Sequence, residues 1–167
     1  MEFQRVLREG FVAGLIGAGA VALWFLAVDT IAGRPFFTPA MLGDALFWGR
    51  RDPSQVVIAF PTIIAYSMIH AVAFAIVGFI AAGLAWEVEH VPSTLFLVVV
   101  FFVIFEFGFI VVVAVFAQPL LRELAWWNVT IGNALASGGM GYYLWRMHPK
   151  IKEELVRHPL GEPEDID

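Results

Sequence analysis

Residues 93–117 read STLFLVVVFFVIFEFGFIVVVAVFA, an apolar run broken by a single ionisable residue, Glu106. A membrane-crossing helix needs about 20 consecutive, mostly apolar residues, and this run meets that length with bulky Phe, Val and Ile side chains. Three further stretches of the same character, residues 10–32, 55–87 and 124–145, fill most of the remaining chain. The reading is therefore an all-α fold: an integral membrane four-helix bundle over residues 1–147, followed by a polar, acidic tail over residues 148–167.

Composition agrees. Of the 167 residues, 60% are hydrophobic and 15% charged, and the mean hydropathy is +0.79, outside the range of soluble domains. Four spans and their connections leave no room for a separate catalytic domain. The absence of cysteine excludes disulfides, thiolate nucleophiles and Cys-based metal centres. The net charge of −5 arises largely from Glu153, Glu154, Glu162, Glu164, Asp165 and Asp167 near the end of the chain. Such a tail is solvated and offers nucleic acid no footprint. Arg5 and Arg8 before the first apolar stretch suggest a signal peptide, but residues 11–28 exceed the usual apolar core of one and no polar domain follows.

Small residues indicate which spans meet. Gly10 and Gly14 form a G-x-x-x-G continued by Ala18, and the fourth span carries Gly132, Ala136, Gly139 and Gly141. Small side chains at this spacing let two membrane helices approach backbone to backbone, so the first and fourth spans are expected to pair. The third span suits lipid or a partner's surface. Between the first two spans, Thr38-Pro39 reads as an N-cap and first helical residue. A short interfacial helix should follow over residues 39–48, ending at Trp48. Asp29 and Arg34 are expected to form an interfacial pair or, with Trp48, a contact for a partner. Pro61 is expected to kink the second span, and residues 86–92 to form a tight acidic turn. Trp126 and Trp127 fit an interfacial aromatic belt. The Lys and Arg residues divide six to four in favour of the side bearing both termini, which the positive-inside rule assigns to the cytoplasm.

Ionisable side chains inside a membrane helix are costly and face partners within the bundle. His70 and Glu106 lie midway along consecutive antiparallel spans, so a His70 to Glu106 hydrogen bond is expected. Asn133 and Ser137 fall at comparable depth on the fourth span, completing an intramembrane polar cluster. Three roles remain open for it: a structural contact, a proton path, or a cofactor site in which His70 ligates haem iron or a chlorin magnesium while Glu106 orients the imidazole. No cofactor is required by the sequence. His90, His148 and His158 are expected to face solvent or headgroups. Catalytic motifs are absent, which argues against an enzyme.

Trp24-Phe25, Asp29, Gly33-Arg34-Pro35-Phe36, Thr38-Pro39 and Leu42-Gly43 together resemble a W-F-x-x-x-D…G-R-P-F-x-T-P…L-G pattern of small, uncharacterised four-span bacterial inner-membrane proteins. The resemblance implies a multi-pass bacterial inner-membrane protein and carries over no activity. The expectation is a small accessory subunit of a larger membrane complex, with energy-transducing photosynthetic or respiratory assemblies ranked first. The bilayer and other membrane subunits would be its partners. The alternatives are a haem- or pigment-binding protein centred on His70 and a small proton-coupled transporter using His70 and Glu106.

Overall fold

The structure, a computed structural model, describes residues 2–50, 52–91, 94–116 and 124–151. The part of the expected acidic tail past Ile151 lies outside the described residues. The described elements are helical, with no strand among them: α1 (Glu2–Ile31), α2 (Phe37–Trp48), a 3-10 turn (Pro53–Gln55), α3 (Phe60–His90), α4 (Leu95–Phe116) and α5 (Trp126–Met147). Among the described residues, α1 and α3 are long and apolar enough to cross a membrane.

Several boundaries differ from the sequence reading for local reasons. Pro61 does not kink α3; it occupies the first turn, where its missing N–H costs nothing. The residues ahead of it form the 3-10 turn and an extended link. At the other end, the expected acidic turn is mostly helix, because α3 continues to His90, whose Nδ1 lies 2.8 Å from the carbonyl oxygen of Trp86. The start of α2 is not capped by Thr38. Phe36 holds a left-handed conformation (φ 66°) at the helix entrance, and the acceptor comes from α1, as described below.

The pairing of small residues also differs from expectation. Gly10 and Gly14 pack on α3: a Cβ added to Gly10 would stand 2.7 Å from the Cα of Phe79, and one on Gly14 2.5 Å from the carbonyl oxygen of Phe74. A Cβ on Gly78 of α3 would in turn collide with the carbonyl oxygen of Gly10 and the backbone of Gly14. The G-x-x-x-G is thus sealed against a glycine of α3, not against the glycines of α5. Two of the α5 glycines do face α1, but across larger side chains, Gly132 against Trp24 and Gly139 against Ile16. In this way α1 lies between α3 and α5, and α4 rests on α3 and α5 at the far side.

Buried polar groups stand beside the apolar core, and many large apolar side chains face outward. Glu9, Asp29, Thr38, Asp44, Asn128, Asn133, Ser137 and His148 are buried, while Leu23, Met68, Val72, Phe96, Ile104 and Phe107 are among the exposed apolar residues. In α2, Thr38 and Asp44 turn inward and Leu46, Phe47 and Trp48 outward. An apolar solvent favours this arrangement, because only the interior offers the polar groups partners.

Candidate functional site

The polar residues gather at three levels. At the first, the N-terminal end of α1 meets the C-terminal ends of α3 and α5. His148, completely buried just past α5, stands between two carboxylates, with its Nε2 3.0 Å from Glu9 Oε2 and its Nδ1 3.0 Å from Glu89 Oε2. The Glu9 contact is aligned as a hydrogen bond. The Glu89 contact is close in distance but off the line a hydrogen bond requires. Arg5 adds a 2.8 Å bond from Nε to Glu9 Oε1 and another of 2.8 Å from Nη2 to the carbonyl of Met147. That second bond satisfies one of the carbonyls left open at the end of α5. His148 was expected to face solvent; it instead ties three helix ends together.

At the opposite end, Asp29 in the last turn of α1 accepts both the backbone N–H and the hydroxyl of Thr38, at 2.7 Å each. An acidic side chain from one helix therefore caps the next, satisfying one of its open N–H groups and complementing the positive end of its dipole. Arg34, in the link between α1 and α2, lays its guanidinium 3.9 Å from the ring centroid of Phe37. Asp44 is buried beside Arg50, with 3.6 Å between Oδ2 and Nη1. Asp29, Arg34 and Thr38 together shape one helix-to-helix elbow. Trp48, at the end of α2, is exposed. Beyond it, Asp52 caps the 3-10 turn by accepting from the hydroxyl and the N–H of Ser54 and from Gln55. The Ser54 hydroxyl, then the Ser54 amide, hold its carboxyl below the usual carboxylate range.

At mid-depth the expected His70 to Glu106 bond is not formed. His70 Nε2 faces the carbonyl oxygen of Ala18 on α1 at 3.4 Å. Its ring is stacked against Tyr66 and tilted against Phe74 at a centroid distance of 4.7 Å. Both Glu106 carboxyl oxygens are enclosed without a hydrogen-bond partner. The two residues do not pair: His70 turns toward the backbone of α1. Asn133 reaches α4 through its Nδ2, which donates to the Glu106 backbone carbonyl at 3.3 Å. Ser137 is buried with its hydroxyl unpartnered. The four residues expected to form one cluster are thus divided between two helix contacts. The Nε2 that a haem or chlorin metal could use is directed at Ala18. Among the described residues, no group of three or more Asp, Glu or His side chains is arranged to hold a metal ion.

No protein-family model, curated protein or solved structure matches the chain.

Proposed function

We propose that the chain is a four-span inner-membrane bundle serving as a non-catalytic accessory subunit of a larger membrane complex, with α4 as its partner-facing helix. The membrane placement is supported by the spacing of the polar ends. Glu9 and Asp29 lie twenty residues apart on α1, roughly 30 Å at 1.5 Å per residue, which equals the hydrocarbon thickness of a bilayer. On this reading the two polar ends stand at the two interfaces, and α4 and α5 cross with α1 and α3.

The observation that carries the accessory role is the contrast between the two sides of the bundle. α1 is sealed on α3 at backbone distance, whereas no such seam occurs among the described residues of α4, and its glycine, Gly108, has nothing within 4 Å of a Cβ built on it. The outward residues of α4, Phe96, Val103, Ile104, Phe107 and Val111, are large, apolar and exposed. A rigid core with one loosely seated, bulky helix suits docking more than turnover. Two of the buried acidic side chains are engaged structurally, Asp29 by Thr38 and Glu9 by Arg5 and His148. Energy-transducing assemblies, which recruit small helical subunits, are the class of complex we place first.

The test is purification of the tagged protein from its native membrane in a gentle detergent, with mass spectrometry of what co-elutes. Large membrane subunits at fixed stoichiometry are expected; a lone chain would overturn the proposal. Glu106 favours a second reading, proton coupling, because its carboxyl is enclosed and unpaired. That reading requires proton flux in reconstituted vesicles that Glu106→Gln abolishes, and equal flux in both proteins would remove it.

A further inference from the structure

His148 stands where three helix ends meet, and no part of it is exposed. Its Nε2 is 3.0 Å from Glu9 Oε2 on α1, and its Nδ1 is 3.0 Å from Glu89 Oε2 on α3. Both carboxylates are themselves buried, with side chains 2% and 8% exposed. A neutral imidazole has one N–H and one lone pair, whereas the imidazolium donates from both nitrogens. Only the imidazolium therefore attracts both carboxylates at once. It also balances the junction: with Arg5 on Glu9, two cations face two carboxylates, and a buried charge left without its partner is strongly destabilising.

The two contacts are not equivalent. Glu9 takes an aligned hydrogen bond from His148 and a second from Arg5, whose Nη2 also holds the Met147 carbonyl. These bonds tie α5 to α1 whatever the charge of the ring. The Glu89 contact is off the hydrogen-bond line and rests on charge. In a neutral ring the one proton stays on Nε2, in the aligned bond, and the Nδ1 lone pair then faces a carboxylate. Among the described residues, the other charged groups at this end are Glu2, which acts on Arg5, half-buried Glu87, and exposed Arg8, Arg146 and Lys150. His90 is exposed, with its Nδ1 on the Trp86 carbonyl. The ionisable residue of α4, Glu106, lies near the middle of that helix.

We propose that His148 is a proton-operated latch: its imidazolium holds the C-terminal end of α3 against α5, and loss of the proton releases that end. Histidine is the side chain that ordinarily changes charge between about pH 5 and about pH 8, so the latch is closed on the acidic side of that interval and open on the alkaline side. α3 ends at His90 and α4 begins at Leu95, so the released end is the one that leads into α4.

The test is a spin-label distance measurement on the full-length protein in phosphatidylethanolamine and phosphatidylglycerol nanodiscs. The chain has no cysteine, so labels go to exposed positions alone: His90→Cys with Lys150→Cys spans α3 to α5, and Arg8→Cys with Lys150→Cys spans α1 to α5. The first pair should gain a longer, reversible distance as the pH is raised from about 5 to about 8, while the second pair stays constant. Glu89→Gln should abolish the shift, because a neutral amide meets either form of the ring without charge repulsion. His148→Gln, which retains His70 and His158, should abolish it too; should that variant not fold, Glu89→Gln decides. A first-pair distance independent of pH, an equal shift in both pairs, or a shift that survives either substitution would overturn the proposal.

Discussion

Gly78 is the residue with the least room for change. A methyl group there meets backbone atoms of Gly10 and Gly14, and backbone cannot rotate aside as a side chain can. Overpacking of this kind costs about 1–3 kcal/mol, so Gly78→Ala should lower the melting temperature in detergent while Gly141→Ala leaves it unchanged; equal effects would contradict the α1 to α3 seam. Two pairs test the polar contacts by double-mutant cycles. His148 and Glu9 should couple by about 0.5–3 kcal/mol, as contacting residues do, whereas His70 and Glu106 should be additive within about 0.5 kcal/mol. Glu106→Leu should raise stability, since it removes an enclosed carboxyl that has no partner. The sequence made the depth of these residues legible but not their azimuth. Position along a helix follows from counting at 1.5 Å per residue, and counting is what places His70 and Glu106 each near the middle of a span. Rotation about the axis is read from amphipathicity, and helices apolar all round supply none. His148 was missed because it follows the apolar span, beside Pro149. The available signal was that Glu9, Glu89 and His148 all fall at the same end of the bundle.

At the scale of elements, the elbow between α1 and α2 depends on Asp29. Asp29→Ala removes acceptors for both the amide and the hydroxyl of Thr38 and should cost about 1–3 kcal/mol. Thr38→Val keeps the amide bond and should cost less; hydrogen exchange at the Thr38 amide would then be faster in Asp29→Ala than in Thr38→Val. The 3-10 turn adds a pH dependence. Because the Asp52 carboxyl is held below its usual value in the folded state, its contribution is fully present above the ordinary Asp value of about 3.9 and is lost as the pH falls through the lowered folded value. Asp52→Ala should therefore melt below wild type at pH 7, with the gap closing in strong acid; a gap independent of pH would show that the carboxylate does not hold the turn. The elements themselves were legible from apolar length, as was the short helix after the first span. Their partners were less so, because small residues occur on α1, α3 and α5 alike, and only atomic contact shows that Gly78 completes the seam.

The whole molecule joins a sealed half, α1 on α3, to an open half in which α4 presents Ile104 and Phe107 outward. Under the proposed membrane placement, polar groups buried at two levels about 30 Å apart would set the register of the bundle, and the loosely seated helix would give it a surface to offer. The most direct measurement places a photo-crosslinking amino acid at Ile104 or Phe107 on α4, and at Leu23 on α1 or Val72 on α3 as comparisons, in cells that express the protein at native level. The account predicts a protein adduct of one defined mass from the α4 positions and lipid adducts alone from α1 and α3. Lipid adducts alone from all four positions would contradict it.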